Sequence, residues 1–345
     1  MKKVLILTWS YWGWHNVAAS SLWAFYESQW RDAKILDIID FVNKFLAKSS
    51  KEFHKISCEE YPSVWKTFFN VTDFPIIARI LYWVKDPIWQ PKFNKIIDTY
   101  KPNVVISVFP FWNWWVKNYL KDKWQKFIRW IVVTDAINIQ SFWYVRPFYV
   151  DKYFVIDEFS KKKFIDKFDY PSDKVVTSFF PLKKKIFIDK ENIWNKNVLF
   201  LLTWINKLFA DWFLSVTNAN VTVLRWRNNK LYEYLKLIFW QKFIFIDSMN
   251  ISENLGKFDI FIWKPWWAIT SECIATDTFM FVPNFIPWQE EWNLQLLELN
   301  ECWIYESDPV KAEFLRKHLN FNSFLDSFKK VKIKEPCDII YKNLL

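Results

Sequence analysis

The sequence predicts an α/β protein built of two Rossmann-like domains, and three observations carry that prediction. Its 345 residues fit about two domains at roughly 150 residues each. Short β-branched runs alternate with amphipathic segments over most of the chain, the pattern of parallel sheets covered by helices on both faces. That alternation lapses once, in the charged stretch FFPLKKKIFIDKENIWNKN at 179–197, and then begins again. The expected domains are therefore 1–185 and 186–345, two doubly wound halves facing a cleft.

In the first half, strands are expected at 3–8, 34–39, 103–108, 127–133 and 152–156, each a short apolar run rich in β-branched residues. Residues 41–100 are rich in aromatics and lysines and read as helices inserted between the second and third strands, a position that often shapes an acceptor site. In the second half, strands are expected at 198–203, 221–225, 243–246, 258–262 and 279–282. The tail after Asp308 reads as helical to about His318.

Composition narrows the partners. The net charge of +10 favours an anionic surface, a nucleotide or a nucleic acid, or else reflects a lysine-rich solvated face. Cys58, Cys273, Cys302 and Cys337 are far apart and form no CxxC pair, which points to reduced thiols in the cytoplasm rather than disulfides or zinc. The opening MKKVLILT is too short for a signal-peptide core, and no apolar run approaches the roughly 18 residues of a spanning helix. A soluble chain, or one held at a membrane surface, is expected.

The chain has 2 Gly and 25 Trp, although glycine averages about 7% of residues. Some bacterial lineages decode UGA as glycine, a codon read elsewhere as tryptophan, so many of these tryptophans are expected to be glycines in the cell. The alternative is a Trp-rich binding protein whose indoles stack on sugars or bases.

The first chemical stretch is TWSYWGWHNVAAS, residues 8–20. A strand turning tightly into a helix aims free N–H groups and the positive helix end at an oxyanion, and such a turn favours residues without a Cβ. With glycine at Trp9, Trp12 and Trp14 it reads TGSYGGGHNVAAS. That string resembles the N-terminal loop of the monogalactosyldiacylglycerol synthase and processive diacylglycerol glucosyltransferase family. These are relatives of the UDP-N-acetylglucosamine transferase that completes the peptidoglycan lipid precursor. His15 stands where the family keeps its histidine.

The second stretch is DIFIWKPWWAITSECIATDTFMFVPNFIPWQEEWNLQLLELNECWIYE, residues 259–306. It resembles the family's donor motif, KPGG-hydrophobic-T-x-SE followed by P-x-PGQEE-x-N. Lys264, Pro265, Thr270, Ser271, Glu272, Pro283, Pro287, Gln289, Glu290, Glu291 and Asn293 match. Trp266, Trp267 and Trp288 fall on family glycines.

Weaker likenesses extend the coverage from residue 3 to about 310. VLFLLTWINK at 198–207 is similar to the strand and glycine loop that open the nucleotide domain, with Thr203 and Trp204 at the turn. TVLRWRNNKL at 222–231 is similar to a cysteine-glycine-arginine-asparagine turn that keeps Arg227 and Asn228 and has Arg225 for the cysteine. VVTDAINIQSFW at 132–143 is similar to the TD…H…W segment through Thr134, Asp135 and Trp143, but Gln140 replaces the histidine. FPFWNWW at 109–115 would read FPFGNGG.

The resemblance implies a two-domain glycosyltransferase of GT-B type that moves a hexose from a UDP-sugar to diacylglycerol with inversion. His15 would be the base, with Asp135 as the second candidate. Ser10, Tyr11, Gly13 and Asn113 would form the acceptor loop. The UDP-sugar would be held by Thr203, Arg227, Asn228, Lys264, Pro265, Trp266, Trp267, Thr270, Ser271, Glu272, Gln289, Glu290 and Asn293. Pro265 to Thr270 would form the diphosphate turn and Glu272 would take the ribose. No DxD pattern or His/Cys cluster calls for a metal, and no cofactor is expected. The expected partners are a lipid acceptor and an anionic membrane at the inner face of the cell membrane, without nucleic acid. The alternatives are a UDP-N-acetylglucosamine transferase with a polyprenyl-linked acceptor, a UDP-N-acetylglucosamine 2-epimerase and a non-catalytic Trp-rich binder.

Overall fold

The computed structural model describes residues 2–10, 13–38, 67, 70–71, 73–74, 88–123, 126–183, 197–203, 205–217, 219–226, 228–276, 278–283, 285, 290–299, 303–305 and 336–343. The chain divides into two compact units, Met1–Lys184 with Lys334–Leu345, and Lys185–Ile333. The second unit thus ends before the expected residue 345, because the last helix packs on the first unit.

In the first unit, apolar runs form six parallel strands: β1 Lys3–Thr8, β2 Asp32–Asp37, β3 Val104–Ser107, β4 Ile128–Val132, β5 Lys152–Val155 and β6 Val175–Thr177. Their order is β2-β1-β3-β4-β5-β6, so the winding reverses between β1 and β3. Ligands of doubly wound sheets bind at the carboxyl ends of the strands flanking such a reversal. Val4 to Leu7 and Val104 to Ile106 are buried, as continuous apolar strands covered on both faces must be.

The helices described along this sheet are α1 Gly13–Ser28, α2 Gln90–Tyr100, α3 Trp112–Lys123 and α4 Glu158–Phe168. In α2, Phe93, Ile97 and Tyr100 recur at helical spacing and are buried, and Pro91 occupies the first turn, where its missing N–H costs nothing. The helices expected between 41 and 87 lie almost wholly outside the described residues. The C-terminal helix, Pro336–Lys342, rests on α1, with the Tyr341 ring 5.7 Å from Phe25 and 5.8 Å from Tyr26, and its hydroxyl accepting from Arg31 at 3.2 Å.

Helix α1 ends in a Schellman arrangement. The Arg31 N–H donates to the Tyr26 carbonyl at 3.1 Å and the Trp30 N–H to that of Glu27 at 3.0 Å, with Trp30 between them at φ 56°. Left-handed backbone costs a side chain about 1–2 kcal/mol, and glycine gives back about 0.4–1 kcal/mol through the freer unfolded chain. The Trp30 indole is 84% exposed, so little packing offsets that cost. Trp30→Gly is therefore expected to stabilise the protein by about 1 kcal/mol, read as a higher urea midpoint at unchanged slope.

The second unit repeats the architecture with β7 Asn197–Leu201, β8 Asn220–Leu224, β9 Ile244–Ile246, β10 Ile260–Ile262, β11 Phe279–Val282 and β12 Trp303–Tyr305. All pairings are parallel, in the order β12-β11-β10-β7-β8-β9, and the winding reverses between β7 and β10. The intervening helices are α5 Lys207–Val216, α6 Asn229–Phe239, α7 Ile251–Asn254, α8 Trp267–Ala275 and α9 Glu291–Leu299; the C-terminal helix is α10. One core packs Val198, Phe200, Val221, Val223 and Ile262 of the sheet against Phe209, Ala210 and Leu214 of α5 and Leu231, Tyr232 and Leu235 of α6.

The ten expected strands all form, with ends displaced by up to two residues, as β2 shows by starting at Asp32 rather than 34. The edge strands β6 and β12, three residues each, are additional. The tail expected to be helical from 308 to 318 lies outside the described residues.

Candidate active site

In the first unit the chain leaves β1 toward α1 at the point where the sheet reverses. His15, in the first turn of α1, lies under the carboxyl end of β3. Its Nδ1 is 2.6 Å from the Val108 carbonyl oxygen and 3.0 Å from Thr134 Oγ1. A carbonyl can only accept, so Nδ1 carries the proton and Nε2 keeps the lone pair. The imidazole is 4% exposed, with the Phe109 ring 4.8 Å away edge-on. Burial holds its pKa down to about 3 against the ordinary 6.5, and the Val108 bond opposes the shift. At neutral pH the ring is uncharged.

Asp135 follows Thr134 and accepts the Trp143 indole N–H at 2.6 Å. Burial lifts its pKa to about 6, offset in part by the bonds from Trp143 and the Gln140 backbone and by Lys167, and reinforced by Asp73. The loop between them is strained: Ile137, a β-branched residue, sits at φ 55° and its N–H donates to Ser160 Oγ at 3.0 Å. Asp73, from the inserted segment, accepts from the Ser141 N–H at 2.7 Å and pairs with Lys167 at 2.9 Å, which ties the insertion to this loop.

The acceptor-loop residues separate. The Ser10 N–H donates to both oxygens of Asp37, at 3.2 and 3.1 Å. Gly13 is exposed at the start of α1, with nothing within 4 Å of where a Cβ would stand. Asn113 faces the interior, where its carbonyl and Oδ1 accept from Arg129 at 2.8 and 3.4 Å. Tyr11 lies outside the described residues. Trp112, at an expected glycine position, is buried and donates to the Thr8 carbonyl at 2.7 Å.

The pH dependence of stability follows from His15. Its folded pKa lies below the unfolded 6.5, so below pH 6.5 the unfolded chain takes up a proton that the folded one refuses, and stability falls toward pH 3. Asp135 has the opposite sign: its folded pKa exceeds the unfolded 3.8, so its burden is relieved as pH falls from 6 to 3.8. Urea unfolding between pH 8 and 4 should show a loss below pH 6.5, steeper by up to about 1.4 kcal/mol per pH unit than in His15→Gln. Equal slopes would mean that His15 protonates in the folded protein.

In the second unit, the loops after β7 and β10 meet at the other reversal. The Trp263 indole N–H donates to the Thr203 carbonyl at 3.1 Å. The Lys264-Pro265 turn leads into α8, whose N-cap is Trp266 and whose first turn includes Trp267 and Thr270. Lys264 and Glu290, each 2% exposed, pair at 3.4 Å, and the Lys264 ammonium lies 4.7 Å from the centre of the Trp266 ring. Asn293 Nδ2 donates to the Pro265 carbonyl at 2.8 Å, pinning the turn from α9. Thr270, Ser271 and Glu272 are buried, and Glu272 Oε1 accepts from Ser252 Oγ at 2.7 Å. Asn228 caps α6 through the Leu231 N–H at 3.3 Å and donates to the Leu202 carbonyl at 3.2 Å. Arg227 and Gln289 lie outside the described residues.

Four contributors were not singled out as site residues from the sequence: Asp37, Asp73, Thr134 and Ser252. Asp37 had a signal, an acid ending the second strand some twenty residues after the first turn. Thr134 stood in the TD likeness without a role. Asp73 and Ser252 come from separate segments, and no local pattern announces them.

Among the described residues no helix is long and apolar enough to cross a membrane, and no group of three or more His, Cys, Asp or Glu is placed to hold a metal ion.

Residues 15–177 match the family model of monogalactosyldiacylglycerol synthase, so the resemblance read from the sequence holds over that span. No curated protein sequence matches the chain. Among solved structures, MurG of Acinetobacter baumannii superposes with a TM-score of 0.62 at 10% identity, covering 99% of this chain and 100% of that one. UDP-GlcNAc 2-epimerase from Neisseria meningitidis, bound to UDP-GlcNAc, reaches 0.59 at 11% identity over 100% and 99%. A glycosyltransferase from Rickettsia africae reaches 0.54 at 11% over 99% and 97%. The fold, two Rossmann-like units, is thus of the GT-B type.

Proposed function

We propose that this protein transfers a hexose from a UDP-sugar to the free hydroxyl of diacylglycerol, inverting the anomeric carbon. The observation that carries this reading is His15. It is a buried, neutral imidazole whose Nδ1 is held by the Val108 carbonyl, which leaves Nε2 as its basic nitrogen, at the sheet reversal of a unit that matches the monogalactosyldiacylglycerol synthase model.

As the acceptor oxygen attacks the anomeric carbon, its proton passes to His15 Nε2, and the bond to the diphosphate breaks with UDP leaving. The charge that develops on the diphosphate is stabilised by the free N–H groups in the first turn of α8, at the positive end of that helix. Neither a metal nor a cofactor is needed for these steps. The basic net charge suits an anionic inner membrane leaflet, where the lipid acceptor resides.

The donor half has its own test. At about a hundredfold excess over its dissociation constant, UDP should stabilise the protein by about 2.7 kcal/mol. A thermal midpoint that UDP leaves unmoved would sink the assignment of the second unit.

A further inference from the structure

The geometry points to Thr134 as the residue that positions His15, its hydroxyl sharing with the Val108 carbonyl the task of holding Nδ1–H so that Nε2 faces the acceptor. This rests on the reading of His15 as the base.

Two oxygens surround one nitrogen: the Val108 carbonyl at 2.6 Å and Thr134 Oγ1 at 3.0 Å. They come from different elements, the carboxyl end of β3 and the loop after β4, so together they fix both the tilt and the rotation of the ring. Thr134 is 1% exposed, and its β-branch restricts χ1, which keeps the hydroxyl aimed. When Nε2 accepts the substrate proton, the ring becomes a cation and its Nδ1–H bonds become charge-assisted, so both oxygens gain most at the step that matters. Thr134 also precedes Asp135, whose carboxylate is held by Trp143, so one short loop sets the environment of both candidate proton acceptors.

The test compares Thr134→Val, which keeps the shape and loses the oxygen, with Thr134→Ser, which keeps the oxygen. Thr134→Val should lower kcat by tenfold or more with KM for donor and acceptor changed less than twofold, and Thr134→Ser should recover most of the rate. Imidazole 15N spectra of the unaltered protein should show the proton on Nδ1, a readout that survives if Thr134→Val fails to fold. An Nε2–H tautomer, or full kcat in Thr134→Val, overturns the inference. If His15→Gln itself retains full activity, the assignment of the base has failed instead.

A different set of observations carries a second inference: we infer that the cell places glycine at positions 30 and 226. Trp30 fills the left-handed site of the Schellman ending of α1. Trp226, at φ 47° and 44% exposed, is the second residue of a four-residue turn closed by the Asn228 N–H on the Arg225 carbonyl at 3.2 Å. Both positions favour glycine for the same steric reason, and neither indole is buried. In a chain with 2 Gly and 25 Trp, glycine at both positions also fits the expectation that many of its tryptophans are glycines in the cell. Fragment-ion mass spectra of peptides spanning the two positions, from protein isolated from its source cells, should read glycine at each. Tryptophan at either position overturns the inference.

Discussion

The His15→Gln protein is expected to lose sugar transfer by a factor of about 10²–10⁴, the usual worth of a positioned general base and equivalent to about 3–5 kcal/mol of barrier. Glutamine suits the test because its side-chain amide can still donate to the Val108 carbonyl, where the imidazole now does at 2.6 Å, but it cannot take a proton. The loss should fall on kcat, because the ring is only 4% exposed and offers substrate little binding surface. UDP stabilisation should persist, since the residues proposed to hold the donor belong to the other unit. A His15→Gln enzyme within twofold of the unaltered rate would transfer the base's role to Asp135.

The second large effect concerns the proposed donor turn. Lys264 and Glu290 are buried together at 3.4 Å, and breaking such a buried pair by removing one side chain costs about 3–5 kcal/mol. Against a typical stability of about 5–15 kcal/mol, Lys264→Met should unfold part of the population at ambient temperature. The double change Lys264→Met with Glu290→Leu removes both charges and should lie within about 1 kcal/mol of the unaltered protein, so the double-mutant cycle should return a coupling of several kcal/mol. Additive losses in urea melts would show two charges that act independently. The pair ties the turn that opens α8 to the residue preceding α9, and Asn293 of α9 holds Pro265 of the same turn. The double variant should therefore fold and yet bind UDP less tightly.

These expectations also mark how far the sequence was legible. Runs such as Val4 to Leu7 and Val198 to Leu201 announced their strands because a parallel strand buried on both faces must be apolar throughout. The edge strands β6 and β12 were not expected from the sequence; each is three residues long and pairs on one side only, with β5 and β11. His15, Lys264, Glu290 and Asn293 were singled out from motif likeness, yet nothing local said that Lys264 and Glu290 would pair or that Asn293 would bond to Pro265. Contacts between residues far apart in the chain, such as Glu272 with Ser252 or Ser10 with Asp37, depend on how the loops converge. Asn113 shows the same limit: expected in the acceptor loop, it stands in the first turn of α3 and faces the buried Arg129. The return of the last helix to the first unit has no local signature either.

The most direct test of the account is to incubate the protein from its source cells with UDP-[14C]hexose and vesicles of diacylglycerol in anionic phospholipid, then extract with chloroform. Glucose, galactose and N-acetylglucosamine donors would be assayed in parallel. The account predicts label in the organic phase as a glycosyl diacylglycerol with at least one donor. Label that remains aqueous with all three, or that enters lipid only when a polyprenyl-linked acceptor replaces diacylglycerol, would contradict it.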